Sequence, residues 1–167
     1  FSSDKVSLNI ARIPGALKRL YWDRLRTVPV NVSTGPFDIF HSSDPFAPPV
    51  AGRKVIVTVY DLISQTHPQF YQKKVLSQDK RRWHSIVNSD AVIVPSHYIR
   101  DQVIRRLSGK PIVVVPPPLA MKFSPAPLAE DAAILGAFGL TRPYILFVGT
   151  IEPRKNLPAL IQAFESL

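Results

Sequence analysis

The sequence predicts an α/β fold: a Rossmann-like parallel sheet with helices on both faces. Three observations predict it. Short runs rich in β-branched residues alternate with segments whose apolar residues recur at helical spacing. The runs are continuously apolar, as in strands buried on both faces, rather than alternating apolar and polar. Gly, Pro, Asp and Ser punctuate the junctions between them.

Composition bounds the rest. The chain has 167 residues, of which 46% are hydrophobic, enough for a globular core. Cysteine is absent, which excludes disulfides and thiolate metal sites, and the histidines lack metal-ligand spacing. No apolar run is long enough to span a bilayer, and the first residues have no signal-peptide character. The formal net charge is +9. Basic residues gather at Lys73-Lys74, at Lys80-Arg81-Arg82, and at Arg100, Arg105, Arg106 and Lys110. They suit anionic partners such as phosphate-bearing substrates or an acidic membrane surface, and equally suit solvated helix faces. They lack the aromatic interleaving of a nucleic-acid module, so no nucleic-acid partner is expected.

Taken in order, 13–26 reads as an amphipathic helix with Leu17, Leu20, Tyr21 and Leu25 on one face. A loop fills 28–36. A short strand is predicted over 37–41, then a proline-rich loop over 42–52, then a second strand over 54–59. Residues 66–75 read as irregular. Ser77 or Asp79 is placed to cap a helix reaching about Ser89, with Trp83, Ile86 and Val87 inward. A third strand covers 91–94 and ends at Pro95. Ser96 caps the next helix, whose core face is Ile99, Val103, Ile104 and Leu107, and Gly109 ends it. A fourth strand covers 112–115 and is stopped by Pro116, Pro117 and Pro118. A short helix over 130–138 closes at Gly139. A fifth strand, 144–148, breaks at Gly149 before a helix starting near Asn156.

Open parallel sheets bind ligands beyond the C-terminal ends of their strands. Those positions hold His41, Ser43 and Asp44 after the first strand, Tyr60 and Asp61 after the second, and Ser96 after the third. After the fifth come Gly149, Thr150, Arg154 and Lys155. A guanidinium forks onto phosphate oxygens, an ammonium is a point charge, and a helix N-terminus adds its dipole. Each residue also has a local alternative. Asp44 and Asp61 suit turns or caps, His41 a structural hydrogen bond, and Arg154 and Lys155 plain solvation.

Four pieces in order resemble a known family: Val57-Thr-Val-Tyr-Asp-Leu62, Val92-Ile-Val-Pro-Ser96, Val113-Val-Val-Pro-Pro-Pro118 with Phe123-Ser-Pro125, and Phe147-Val-Gly-Thr-Ile-Glu-Pro-Arg-Lys-Asn156. They are similar to the group 1 (family 4) retaining glycosyltransferases of GT-B fold. The resemblance implies two Rossmann-like domains facing a cleft, an acceptor on the first and a nucleotide-diphosphate sugar on the second. It implies Tyr60 and Asp61 as catalytic residues, although the family often has His where Tyr60 stands. It implies Gly149, Thr150, Arg154 and Lys155 at the donor diphosphate, and Ser43, Asp44 and Ser96 on the acceptor side. It implies no metal and no cofactor beyond the donor itself.

On that reading the domains are 1–119, an acceptor domain lacking its first strands; 120–143, a hinge; and 144–167, the start of a donor-binding domain. The chain is expected to be a middle piece of a longer protein and inactive alone. The expected setting is cytoplasmic, with contact at the inner membrane face, in glycan or polysaccharide synthesis on a saccharide or lipid-linked acceptor. An unpaired sheet edge favours a homodimer. The alternative function is a non-catalytic basic α/β module that binds an anionic membrane surface or partner.

Overall fold

Four strands pair in chain order as one parallel sheet: β1 (Ile39–Ser42), β2 (Lys54–Thr58), β3 (Ala91–Val94) and β4 (Ile112–Val114). The structure, a computed structural model, describes residues 14–25, 27–119, 129–141 and 143–167. The chain divides into two compact units, Phe1–Pro117 and Pro118–Leu167.

The first unit holds the sheet. His41 pairs in register with Ile56, Val57 with Val92, and Ile93 with Val113. Between the strands run α3 (Ile63–Thr66), a 3₁₀ turn (Pro68–Phe70), α4 (Lys73–Asn88) and α5 (His97–Ile104). Before β1 lie α1 (Gly15–Lys18), continued by a π-helical segment (Arg19–Leu25), and α2 (Asn31–Thr34). With helices around a parallel sheet, the α/β Rossmann-like class predicted above is the class observed.

The core follows from the pleat, since successive strand residues point to opposite faces. Val57, Val59, Val92 and Val94 face one way and are fully buried against Ile86 of α4 and Ile99 and Val103 of α5. Phe40, Val55, Ile112 and Val114 extend that face. On the other face Ile39, Val113 and Val115 are about half exposed. There His41 Nε2 lies 2.9 Å from Thr58 Oγ1, so His41 takes the structural, strand-to-strand role.

Several local expectations change. The apolar face predicted over 13–26 is not buried: Leu17, Leu20, Tyr21 and Leu25 are all exposed, because among the described residues no sheet surface packs over them. The loop over 28–36 contains α2, which the Asn31 side chain ties to Ala51 through two hydrogen bonds of 3.3 Å. Helix α4 starts at Lys73, ahead of Ser77 and Asp79, so neither caps it, and Val87 points outward. Its N-cap residue Gln72 is extended and makes no capping bond. Ile104 is also exposed, whereas Leu107 does pack against the core.

The second unit carries α6 (Asp131–Ala137), a 3₁₀ turn (Pro153–Lys155) and α7 (Leu157–Glu165). Gly139 follows α6 at φ 68°, the left-handed conformation that suits glycine after a helix. The predicted fifth strand does not form. Among the described residues, 144–148 pair with no strand, and Tyr144, Ile145, Leu146 and Val148 are exposed. A strand needs a neighbour for its N–H and C=O groups, and among the described residues this unit has no other strand. The expected hinge overlaps α6, and its portion 120–128 lies outside the described residues.

Candidate functional site

Beyond the C-terminal ends of β1 and β2 lies a cavity of about 180 Å³. Its polar lining includes Asp44, Tyr60, Asp61, Asp79 and Arg82. Local chemistry presents the second strand's pair. Val59 and Leu62 are buried anchors on either side, and Val59 N–H still bonds the sheet at Ile93 O, 2.8 Å away. Between those anchors Tyr60 and Asp61 are pushed outward, Tyr60 being 54% exposed. Asp61 Oδ1 accepts the N–H of Ile63 at 3.1 Å and so starts α3. Asp44 Oδ1 accepts the N–H of Phe46 at 2.8 Å, a turn fixed by the intervening Pro45. Both local alternatives raised for these aspartates are therefore real, and both residues still border the cavity.

Two charged lining residues went unrecognised as site residues in the sequence. Asp79 and Arg82 come from α4, three apart and so on one side of the helix. Asp79 is only 8% exposed, and among the described residues its Oδ2 has no hydrogen-bond partner. Its Oδ1 lies 3.4 Å from Arg82 Nη1, while Arg82 Nη2 lies 3.9 Å from Asp44 Oδ2. The signal was present: Asp79, Trp83 and Ile86 share one helical face, so a carboxylate stood on a predicted core face. Ser64, Gln65 and Asp79 also border a second cavity of about 260 Å³, beside Lys80 and Trp83.

Ser43 and Ser96 do not join this lining. Ser43 is exposed, and Ser96 accepts the N–H of Ile99 at 3.3 Å, the predicted N-cap of α5.

The other predicted residues stand together in the second unit. Thr150 donates its hydroxyl to Glu152. Arg154 forks onto the same carboxylate, Nε to Oε2 at 2.9 Å and Nη2 to Oε1 at 2.8 Å. The Thr150 hydroxyl first, then Arg154, holds the Glu152 carboxyl below its usual value of 4.5. Lys155 is exposed. Asn156 links the turn to α7 at φ 49°, a left-handed position that asparagine tolerates better than most residues. Pro158 removes one of the free N–H groups at the α7 N-terminus, which weakens it as an anion site. A side chain at Gly149 would press on the Phe147 ring, 3.3 Å from its added Cβ.

With this geometry in hand, comparison with known proteins decides the family. The model of Glycosyltransferase Family 4 matches residues 6–122, most of the chain and nearly all of the first unit. The chain belongs to glycosyltransferase family 4. Among curated proteins it is similar to the O-antigen chain mannosyltransferase B of Escherichia coli, 29% identical over 133 residues. That alignment covers 77% of this chain and 35% of the relative, so the chain spans about a third of that relative's length. No solved structure matches. Among the described residues of this family 4 chain, no helix is long and apolar enough to cross a membrane.

Proposed function

We propose that this family 4 chain is the acceptor-binding part of a retaining glycosyltransferase of GT-B organisation. The donor is a nucleotide-diphosphate sugar and the acceptor a saccharide or lipid-linked glycan under assembly. The carrying observation is that the family match covers a parallel sheet whose strand ends open into the cavity lined by Asp44, Tyr60 and Asp61. In the reaction the bond from the anomeric carbon to the diphosphate breaks, a bond to an acceptor hydroxyl oxygen forms on the same face of the sugar, and the hydroxyl proton passes to the leaving diphosphate. Tyr60 and Asp61 orient that hydroxyl by hydrogen bonding. Arg154 and Lys155 offset the growing charge of the leaving diphosphate, with Gly149 and Thr150 beside it. The relative's name makes a mannosyl donor the first to try. The chain alone is inactive on this reading, because the donor-binding residues stand in a unit whose apolar surface, including Ile161 and Phe164, is exposed.

The test is nucleotide-diphosphate-mannose binding and mannosyl transfer by the intact longer protein, with Arg154→Ala and Lys155→Ala. Roughly tenfold weaker donor binding per variant is expected for loss of a phosphate contact. Equal affinity across the three proteins sinks the diphosphate role, and absence of transfer to any glycan sinks the enzymatic one.

A second reading rests on α4. Its exposed cations Lys73, Lys74, Lys80 and Arg81 share the helix with a single acidic residue, the buried Asp79. Such a stripe suits an anionic lipid surface, with the transferase resting on the inner membrane face. Salt-sensitive binding to vesicles containing anionic lipid, lost on reversing those four charges, supports it. Binding that is indifferent to salt refutes it.

A further inference from the structure

We infer that the cavity of about 260 Å³ between α3 and α4 is a second sugar subsite, in which Trp83 holds the ring next to the one that accepts the new sugar. The inference rests on the acceptor reading above and deepens it. The acceptor class is an oligosaccharide rather than a single sugar, and its penultimate ring lies here.

The cavity combines an apolar wall with a polar rim. Leu76, Lys80 and Trp83 stand at i, i+4 and i+7 of α4, one stripe along the helix. Trp83 packs in part against the core, which fixes its ring, and its remaining surface lines the cavity. Ser64 and Gln65 reach the cavity from α3. Asp61 starts α3 and Leu62 is buried beside it, so both side chains are carried on an anchored turn. The volume is just below the range of pockets that hold drug-sized ligands, which suits a single sugar ring.

Unused hydrogen-bonding capacity is the independent sign that a ligand belongs here. Among the described residues the Ser64 hydroxyl, the Gln65 side-chain amide and the Trp83 indole N–H make no hydrogen bond, and none of them is buried out of reach. Close by, similar groups are used within the protein. The Thr66 hydroxyl donates to the carbonyls of Leu62 and Ile63, and the Ser85 hydroxyl to those of Ala47 and Arg81. An indole N–H on a well-packed ring usually has a partner. Hydroxyl, amide and indole are uncharged, and together they donate and accept, as sugar hydroxyls do. The indole face suits the C–H face of a pyranose. Asp79 takes no part, because its Oδ1 is paired with Arg82 at 3.4 Å and its Oδ2 is buried.

Helix α3 links this cavity to the acceptor site. Ser64 and Gln65 line both this cavity and the one bordered by Tyr60 and Asp61. A ring at Trp83 and a ring at Tyr60 are therefore neighbours across one pair of side chains, as successive rings of an oligosaccharide are.

The experiment titrates the chain by calorimetry with methyl α-glycosides of mannose, glucose and galactose, each as the monosaccharide and as its α-linked disaccharides. The titrations are repeated on Trp22→Phe, following emission from Trp83, which is then the chain's one tryptophan. At least one disaccharide is expected to bind roughly tenfold tighter than its monosaccharide and to shift that emission. Trp83→Leu is expected to bring the disaccharide down to the affinity of its monosaccharide. Gln65→Ala, outside the core, is expected to reduce the gain several-fold and gives the readout where Trp83→Leu fails to fold. Disaccharides that bind no tighter than monosaccharides overturn the inference. So do an unmoved Trp83 emission, a gain that persists in both variants, or no binding of any probe. Transfer by the longer protein is measured separately on the same acceptors. Equal transfer to monosaccharide and disaccharide refutes this inference and leaves the proposed function standing, and disaccharide-selective binding without any transfer does the reverse.

Discussion

Lys110 Nζ lies 2.8 Å from the carbonyl oxygen of Ile86, joining the start of β4 to the end of α4. The same ammonium donates to the carbonyls of Val87, at 2.7 Å, and Ser89, at 2.5 Å. The last carbonyls of a helix have no intrahelical donor, and the helix dipole makes them attractive to a cation. A lysine that is distant in sequence thus joins Asn88 and Ser89, whose own side chains donate to the carbonyls of His84 and Ile86, in capping the end of α4.

Lys110→Met keeps the aliphatic stem and removes those donors. It is expected to lower unfolding free energy by roughly 1–2 kcal/mol, the range for charge-assisted bonds at a partly exposed site. Urea unfolding checks it. An unchanged midpoint would mean that water caps the helix equally well.

Ser96→Ala removes the N-cap of α5 and is expected to cost about 1 kcal/mol, with Ser96→Asp restoring it. Sugar binding followed by amide shifts should be unaltered in both. Weakened binding in a folded variant would return Ser96 to the acceptor side.

Asp90 gives a pH dependence with a definite sign. Its Oδ1 accepts from Lys54 Nζ at 2.8 Å, and its Oδ2 accepts the N–H of Val55 at 2.8 Å. Lys54 first, then the Val55 N–H, holds the carboxyl below its usual value of 3.8. The folded chain thus binds this proton less readily than the unfolded chain. The contribution is present above the unfolded value and is lost as pH falls through the lower folded one. Thermal unfolding of Asp90→Asn against pH should show a flatter acid limb below 3.8 than the unsubstituted chain. Identical limbs would remove Asp90 from the acid response.

Glu152 already occupies the Arg154 guanidinium at 2.8 and 2.9 Å, so under the proposed donor role it would compete with the diphosphate. Glu152→Gln keeps the shape and removes the charge. In the intact longer protein, donor affinity is expected to rise roughly fivefold and the gain to fade with salt. Weaker donor binding would mean that Glu152 positions Arg154 and does not oppose the donor.

The strands were readable because their signal is local. Ala91–Val94 appears as predicted, and Lys54–Thr58 and Ile112–Val114 each fall one residue short. Continuous β-branched runs bounded by Gly, Pro and Asp leave little else for the backbone to do. The run at 144–148 carries the same signal and stays unpaired, because hydrogen-bonding a strand requires a second strand. The start of α4 was misread for a related reason: Ser77 and Asp79 look like caps, yet the helix is held by Ile86 packing on the sheet and by Lys110.

By itself the sequence determined the α/β class, three of the strands nearly to the residue, the Ser96 cap, and the placing of Tyr60 and Asp61 at a strand end. Hydrophobic period and capping chemistry act over a few residues, so they can be read without coordinates. Only the tertiary structure decided that Asp79 and Arg82 meet Asp44 beside Asp61, and that the cavity they share is acidic in a basic chain. Those contacts depend on where a crossover helix lands against the sheet. That position is set by the fit of Ile86, Ile99 and Val103 onto four strands, which no local stretch of sequence encodes.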